Sequence, residues 1–572
     1  MKFLATHITR LLSLTCLLTL ALPATAAELT IYTARKIITM EPALPEATAV
    51  AVAQGRIVAV GSLDSLQGWI KQRGATIDRQ FEDKILMPGF IDPHLHPSLP
   101  AVITQFPIIA PDEWSLPTGD FAAASTPQEY TQLLQHWGAK HTDAKVPFVT
   151  WGYHPLWHGD IGRKELNTLF PEKAVILWHR SFHELILNDA AITALGISKD
   201  IAGQAGVDWE NGLFSEAGAI QVLPRMGFLF EPARYGKGLH NLLAMMLRGG
   251  VTTALDMGTG VFGNPGLEIA MIRKVVTDAQ PPVRIILTPI ITDFLARGKS
   301  IPDAMAEIDS WRAGNTDRVT VDRRFKLMLD GAVFSGLSQF GFPGYMDGHE
   351  GEWLVPAATT EQWAQAFWDA GYQLHAHTNG DASATAFITL LRTLLHNTPR
   401  TDHRTSLEHF AYTTEDQNRQ LKALGAVVSA NPYYQYLLSD IYSEQWLGED
   451  RGRQMVRLGS LERLGVPFAL HSDCPMAPLE PLTLVDNAVN RITINGNLNA
   501  ISERISVDAA LRAITIDAAW IMGYEDEIGS IRAGKKADFA VLEQSPYEVA
   551  PRKIKSIPIW GTVFEGKPYP VN

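Results

Sequence analysis

Short apolar runs alternate with amphipathic stretches along the middle of this chain. Between residues 87 and 524 this alternation is typical of repeated βα units around a parallel sheet. Together with an opening run that leads to position 94, eight strand-like runs occur, the other seven at 251–256, 283–287, 325–330, 372–377, 406–409, 426–429 and 468–473. Eight strands in βα order predict a TIM (β/α)8 barrel, an α/β fold whose active site lies at the carboxyl ends of the strands.

Both ends of the chain show a different pattern, with short alternating strands and turns marked by glycine. Residues 29–83 contain a turn at Gln54–Gly55, and residues 529–563 repeat the same pattern before a turn at Gly566–Lys567. Neither segment is large enough to bury a core of its own. We therefore predict that 28–86 and 525–572 pair into one small β-domain beside a barrel at 87–524.

The segment at about 97–249 is too long for a single βα connection, so we interpret it as an insertion after the first barrel strand. An insertion at this place can cover the active site and shape the substrate pocket. Its aromatic residues Trp151, Tyr153 and Trp178 either form the core of the insertion or contact a planar or apolar group of the substrate.

Residues 1–27 have the features of a secretory signal peptide. Lys2 and Arg10 accompany a short apolar segment, and Ala24–Ala26 offers a cleavage site of small residues. We therefore expect a periplasmic or secreted protein with no membrane insertion once the signal is removed. Cys16 lies in the signal, so Cys474 is left without a partner for an internal disulfide.

The charge balance narrows the choice of partners. The formal net charge is -12 at pH 7, and no run of lysine and arginine is dense enough to follow a phosphate backbone. Nucleic acid is therefore not an expected partner, which leaves a small-molecule substrate.

Residues that can bind a metal ion close several of the predicted strands. His94 and His96 are two positions apart, so both side chains point to one face of the opening strand. His377, His409 and Asp473 lie at the ends of the fifth, sixth and eighth runs. These ends converge in a barrel, and imidazoles with a carboxylate suit a zinc ion that keeps an open position for water.

Lys326 interrupts the fourth run, where a buried ammonium group is costly and repels a cation. Either its neutral amine reacts with carbon dioxide and becomes a carboxylate that bridges two metals, or the ammonium pairs with an acid such as Asp330. Asp473 suits proton transfer, because a carboxylate beside an activated water can accept its proton. The whole set predicts metal-assisted hydrolysis.

Several motifs also resemble a known family. The segments are PGFIDPHLH at 88–96, FKLMLDG at 325–331, HTNGD at 377–381, SLEHF at 406–410, FALHSDCPMAPLEPL at 468–482 and GSIRAGKKADFAVL at 529–542. In this order they resemble the amidohydrolase superfamily, and most closely amidohydrolase family 3, which includes N-substituted formamide deformylases. The resemblance implies a TIM barrel with a small β-sandwich built from both chain ends.

The resemblance also implies a role for each matching residue. It implies two zinc ions per chain, with ligands at His94, His96, His377 and His409, a bridging carboxylated Lys326, and Asp473 as ligand and proton shuttle. In the insertion it implicates His183 in contacting the substrate or the developing oxyanion. His471 stands where many relatives have glycine, so we expect it to narrow the mouth beside Asp473 and contact the substrate.

Three neighbouring residues receive other interpretations. His375 lies two positions before His377 and is expected one layer deeper than the metal ligands. Glu408 alternates with His409 along a strand and is expected to point away from the site. Cys474 is not expected to be a nucleophile, because no pair of a histidine and an acid can be identified around it.

The leading hypothesis is an exported, zinc-dependent amidohydrolase that cleaves a small amide, N-acyl or cyclic amide substrate. The same site could open an ester or a lactone, since both reactions begin with attack on a carbonyl carbon. A solute-binding protein on the same fold, without catalysis, is the alternative from another class. A homodimer is a further expectation that the resemblance suggests.

Overall fold

A computed structural model describes residues 29–571, and its architecture is α/β. The predicted signal peptide at 1–27 lies outside these residues. Among the helices that are described, none combines the length and the apolar character needed to cross a membrane.

The strands of the described residues fall into five sheets. In chain order they are β1 (Leu29–Ile38), β2 (Glu46–Ala53), β3 (Arg56–Gly61), β4 (Thr76–Pro88), β5 (Phe90–Leu95), β6 (Trp114–Leu116), β7 (Gly119–Phe121), β8 (Phe148–Tyr153), β9 (Val175–His179), β10 (Glu184–Leu187), β11 (Val207–Asp208), β12 (Leu213–Ser215), β13 (Val251–Thr259), β14 (Arg284–Pro289), β15 (Val319–Val321), β16 (Arg324–Met328), β17 (Gln373–Thr378), β18 (Ser406–His409), β19 (Val427–Ala430), β20 (Phe468–Leu470), β21 (Phe539–Leu542), β22 (Ile559–Phe564) and β23 (Lys567–Pro570).

The α-helices mostly connect these strands. They are α1 (Gln67–Arg73), α2 (Ser98–Ile103), α3 (Pro127–Lys140), α4 (Pro155–His158), α5 (Arg163–Leu169), α6 (Asp189–Ala194), α7 (Ala217–Val222), α8 (Pro232–Arg248), α9 (Pro265–Ala279), α10 (Ile291–Ala296), α11 (Ile301–Arg312), α12 (Ala357–Asp369), α13 (Asp381–Asn397), α14 (Glu415–Leu424), α15 (Tyr433–Gln445), α16 (Glu449–Gly452), α17 (Leu458–Leu464), α18 (Pro481–Asn490), α19 (Val507–Ala513) and α20 (Ile516–Ile521).

The two ends of the chain share one seven-stranded sheet, in the order β23-β22-β21-β4-β1-β2-β3. Strand β21 pairs antiparallel with β4 and so joins the carboxyl-terminal strands to the amino-terminal ones. Pairing between the two ends was expected from their patterns. A second packed sheet, which a sandwich requires, is not established, so the β-sandwich remains a prediction.

The opening strand of the predicted barrel differs from the expectation. The apolar run Ile85–Met87 belongs to β4 of the terminal sheet, whereas His94 lies on a separate strand, β5, and His96 directly after it. The two strands are divided at Gly89, where a Cβ atom would lie 2.2 Å from the Thr252 hydroxyl oxygen. Only glycine fits against β13 at this point, so the chain can leave one sheet and enter the next.

The parallel strands form two sheets, β15-β14-β13-β5 and β16-β17-β18-β19-β20. Each of the eight predicted runs overlaps one of these strands, and β15 is an additional strand that the pattern did not predict. An isolated bridge between Ile290 and Lys326 links the two sheets on one side. On the other side, the Asp473 amide donates to the His94 carbonyl at 2.9 Å. No continuous ladder closes the ring among the described residues, and a closed barrel therefore remains a prediction.

The insertion lies between β5 and β13, from α2 to α8. It carries its own sheet in the order β11-β12-β10-β9-β8. In this sheet Trp151 is paired with Trp178 across the parallel strands β8 and β9. Both indoles are fully buried, so the insertion has the packed core that its aromatic content can supply.

Candidate metal centre

His94, His96 and Asp473 form the first group of possible metal ligands. The Asp473 Oδ1 atom lies 3.1 Å from His96 Nε2 and 3.5 Å from His94 Nε2. One ligand atom from each of the three residues lies within 4.8 Å of the others. His94 lies in β5 and His96 directly follows it, and Asp473 follows β20 in a left-handed backbone conformation with φ +53°. The carboxylate thereby turns back toward the two imidazoles.

A second group of possible ligands consists of His94, His409 and His471. Each offers one ring nitrogen, and these three nitrogens also lie within 4.8 Å of one another. The ring of His94 is 4.6 Å from that of His409 and 4.4 Å from that of His471, measured between centroids. His471 was expected to contact the substrate, whereas the structure places it within the histidine cluster.

Lys326 is buried beside this cluster, and its Nζ atom has no hydrogen-bond partner in the described protein. Burial lowers the pKa of Lys326 to about 8, although the carboxylates of Glu408 and Asp473 act in the opposite direction. The alternative partner, Asp330, instead accepts hydrogen bonds from the backbone amides of Gln339, Asn379 and Gly380. Asp330 is therefore not a hydrogen-bond partner of Lys326.

Glu408 corrects the prediction that its side chain points away from the site. Its carboxylate is fully buried and lies 2.6 Å from His94 Nδ1 and 2.8 Å from His375 Nδ1. Burial alone raises the pKa of Glu408, but the hydrogen bond and charge of His375, together with Lys326, lower it to about 2. His375 thus contacts a carboxylate behind the cluster, at the deeper layer that its position in β17 indicates.

His377 lies beside His409, with 4.1 Å between the ring centroids. Its Nε2 atom accepts a hydrogen bond of 2.8 Å from the Asn379 side-chain amide. His377 does not belong to either group of ligand atoms within the described residues. Its ligand role therefore rests on the family resemblance. Binding a metal through Nε2 would require the hydrogen bond from Asn379 to break.

Asp473 contacts His409 and Tyr434 in addition to His94 and His96. Its Oδ2 atom lies 3.3 Å from His409 Nδ1 and accepts a hydrogen bond of 3.2 Å from the Tyr434 hydroxyl. Burial raises the pKa of Asp473, but the charges and hydrogen bonds of His409, His94 and His96 outweigh it and hold the pKa well below its usual range. The residue is therefore a carboxylate at neutral pH.

Asp256 is a member of the site that the sequence analysis missed. It lies near the end of β13, with Oδ1 3.8 Å from His96 Nδ1. The Gly258 amide donates a hydrogen bond of 2.9 Å to the same oxygen. An acid inside an otherwise apolar strand run was the available signal for this residue.

His183 is half-buried at the edge of the cluster and reaches Glu216 through Nδ1 at 2.8 Å. Its charge is among the causes that lower the pKa of His377, after burial, His409 and Lys326. His183 is therefore close enough to His377 for its charge to act on that imidazole, and its contact with the substrate or the oxyanion stays a prediction. Its partner Glu216 has a left-handed backbone with φ +43°.

The aromatic residues Trp151, Tyr153 and Trp178 pack in the interior of the insertion. Trp151 and Trp178 both pack against Phe182, and the Tyr153 hydroxyl donates to the Gly159 carbonyl at 2.7 Å. All three rings are buried in the core of the insertion. Burial of large apolar area explains them, and a substrate contact by any of the three stays a prediction.

The residues of the cluster fit a transition-metal ion. Buried nitrogen atoms without a partner in the described protein include the Nε2 atoms of His94, His409 and His471 and Nζ of Lys326. Leaving one such polar group unsatisfied costs about 1–3 kcal/mol, so several of them in one place are costly unless they share a ligand. Neutral imidazoles with a carboxylate are the donors that zinc and similar ions prefer.

Comparisons with known proteins agree with this chemistry. A family model described as the amidohydrolase family matches residues 81–569. The N-substituted formamide deformylase of Arthrobacter pascens is 23% identical over 91% of this chain and 94% of its own length. Protein LONG AFTER FAR-RED 3 of Arabidopsis thaliana is 24% identical over 93% of this chain and 90% of its own. An uncharacterized metal-dependent hydrolase from Pyrococcus horikoshii OT3 superposes with a TM-score of 0.70 at 19% identity, over 92% of this chain and 99% of its own.

Proposed function

The chain belongs to the amidohydrolase family of metal-dependent hydrolases that act on carbon–nitrogen bonds, and on that premise we propose that it is an exported, zinc-dependent amidohydrolase. Its proposed substrate is a small amide, N-acyl or cyclic amide compound. The observation that carries this proposal is the cluster of His94, His96 and Asp473 beside Lys326, whose Nζ has no hydrogen-bond partner among the described residues. Export is proposed from the signal-like residues 1–27, and the two parallel sheets are proposed to form one TIM barrel.

The residues proposed to hold the metal are His94, His96, Lys326, His377, His409 and Asp473. When bound, zinc supplies Lewis acidity toward a carbonyl oxygen and makes water more acidic. Asp473 is proposed to accept the proton of the attacking water and to donate it to the leaving nitrogen. The hydrogen bond from Tyr434 and the contact with His409 support this role, because they hold the carboxylate in one orientation.

Lys326 is proposed to be carboxylated. Because burial lowers its pKa to about 8, a larger fraction of the amine is neutral than for an exposed lysine. The ammonium first loses one proton, and the neutral nitrogen then forms a bond with the carbon of carbon dioxide and loses a second proton, so that an anion replaces a buried cation. The resulting carboxylate would lie among imidazoles and could bridge two metal ions.

Elemental analysis of protein purified without chelator tests the proposed centre. Wild type is expected to hold about two zinc ions per chain, as in other two-metal sites, and Lys326→Met about one or none. Lys535→Met is the matched control, because burial also lowers the pKa of Lys535 to about 8 while its Nζ donates to the Ile528 carbonyl. Wild type without metal after incubation with zinc and bicarbonate would contradict the proposal.

A panel of amides, N-acyl compounds, cyclic amides, esters and lactones tests the reaction class. Metal-dependent product formation from the amide group is expected, with Asp473→Asn slower by at least about 100-fold, the lower range for loss of a general base. Turnover of esters or lactones alone would favour the esterase alternative. Thermal stabilisation by a compound without any product would favour the solute-binding alternative.

A further inference from the structure

His471 follows β20 directly and is fully buried. Its ring lies 4.4 Å from that of His94 and 5.6 Å from that of His409, between centroids. The three side chains come from different strands, and they approach one another at the same end of the parallel sheets. Packing alone does not explain this arrangement, because apolar side chains would fill the space without leaving polar atoms unpaired.

The free nitrogen of each ring can be identified from its neighbours. His471 Nδ1 lies 2.7 Å from the Ser429 hydroxyl oxygen, and His94 Nδ1 lies 2.6 Å from Glu408. His409 Nδ1 lies 3.2 Å from the Tyr434 hydroxyl oxygen. The Nε2 atoms of all three histidines remain buried and without a partner in the described protein. On each ring, therefore, the nitrogen available to a ligand is Nε2.

These contacts match the way in which proteins orient metal-binding histidines. The second ring nitrogen of such a histidine usually donates to an oxygen of a carboxylate, a backbone carbonyl or water, which fixes the tautomer and the ring orientation. Glu408 does this for His94, and Ser429 is placed to do it for His471. The His471 backbone amide further donates to the Ala430 carbonyl at 3.0 Å, which fixes the backbone that carries this ring.

We propose that His471 is an additional imidazole ligand of the metal centre, with Ser429 as its positioning residue. The inference rests on the proposed metal-dependent function and adds a nitrogen donor that the family resemblance does not supply. With this residue, a larger share of the ligands are imidazole nitrogens, which favours zinc, cobalt, nickel or iron over magnesium and calcium.

The test uses chelator-treated full-length protein reconstituted with Co(II), with X-ray absorption to count the coordinated imidazoles and a competition titration to measure affinity. In His471→Gly the average number of imidazoles per metal should fall. The affinity for Co(II) should fall at least about 10-fold, because losing a ligand should cost no less than losing a residue that orients one. Added free imidazole should restore part of the affinity by entering the space that the side chain leaves. Ser429→Ala should lower affinity about 10–100-fold with the imidazole count unchanged.

His403→Gln is the matched control, since His403 is also buried but its ring nitrogens contact the Thr405 hydroxyl and the Leu424 carbonyl. Its imidazole count and affinity should equal those of wild type. Unchanged count and affinity in a folded His471→Gly variant that still binds Co(II) would overturn the inference and leave the proposed function intact. Failure of wild type to bind metal would overturn both.

Discussion

Glu408 connects two histidines that the sequence assigns to different layers. Its two carboxylate oxygens lie within hydrogen-bond distance of His94 and His375, and all three side chains are buried. A carboxylate in this position fixes the His94 tautomer so that Nε2 faces the cluster, and it makes the imidazole a stronger donor. The residue therefore influences the metal centre without belonging to either group of ligands.

Replacing Glu408 with glutamine should weaken metal binding. We expect Glu408→Gln to lower zinc affinity about 10–100-fold, because an amide cannot orient and polarise His94 as a carboxylate does. A competition titration with a zinc chelator measures the effect. Glu503→Gln is the control, since Glu503 is a buried carboxylate that accepts a 2.7 Å hydrogen bond from the Ser460 amide. Equal affinities for Glu408→Gln and wild type would contradict this role.

At the scale of the elements, periodicity predicts the strands well and their ends less well. The spacing of His94 and His96 predicts one shared face, and both imidazoles reach the Asp473 carboxylate although His96 lies one residue beyond β5. Glu408 and His409 are adjacent, and alternation predicts opposite faces for them. His409, however, has φ +79°, so the backbone turns there and both side chains reach the cluster. Asp473 likewise has φ +53°. Such turns depend on tertiary contacts, which sequence spacing does not encode.

The boundary between β4 and β5 shows the same limit. The apolar run 85–87 before His94 predicts one strand that reaches the histidine. The close approach of Gly89 to Thr252 instead divides this segment between two sheets. The aromatic residues of the insertion are a second example. Aromatic side chains in an insertion fit a pocket or a core equally well by composition, and only the contacts of Trp151 and Trp178 assign them to the core.

Arg180 joins the insertion to the segment that follows Asp473. Its guanidinium is fully buried and donates to the carbonyls of Pro475 at 3.0 Å and Met476 at 2.9 Å. It also lies 3.3 Å from the Asp112 carboxylate. The insertion therefore holds the loop that carries the proposed proton shuttle, through a cation that apolar packing cannot replace.

Removing this cation should affect both stability and turnover. Arg180→Met leaves Asp112 without its charged partner, and breaking a buried ion pair in this way costs about 3–5 kcal/mol. Denaturant unfolding measures the loss, and kcat on any substrate found should fall as the Asp473 loop loosens. Arg163→Met, which breaks a contact with the exposed Asp189, should cost less than about 1 kcal/mol. A loss below that value for Arg180→Met would contradict the assignment.

For the whole molecule, the terminal sheet and the parallel sheets meet at Arg284. This residue begins β14, is buried, and contacts the carboxylates of Asp538 and Glu565 from the terminal strands. The Gly89 amide also donates to the Asp538 carbonyl at 2.9 Å, immediately before the strand that carries His94. The carboxyl-terminal segment thus supports the position of β5. Destabilising the terminal sheet should therefore also disturb the metal centre.

The charge of Glu565 gives this junction a defined pH dependence. Burial raises the pKa of Glu565, but hydrogen bonds from Arg284 at 2.7 Å and Lys536 at 3.2 Å outweigh it and lower the pKa below its usual value. Because the folded pKa is the lower one, the stabilisation is present above the unfolded pKa of about 4.3 and is lost as pH falls through the folded pKa.

Glu565→Gln should therefore lower Tm at pH 7, and its difference from wild type should shrink as the pH decreases below about 4. Thermal unfolding from pH 7 to pH 3 measures the difference. In an Arg284→Met background the same substitution should have a smaller effect at pH 7, because the main partner of the carboxylate is gone. A Tm difference that stays constant to pH 3 would mean that packing, rather than the carboxylate charge, couples the terminal strands to the sheets that hold the site.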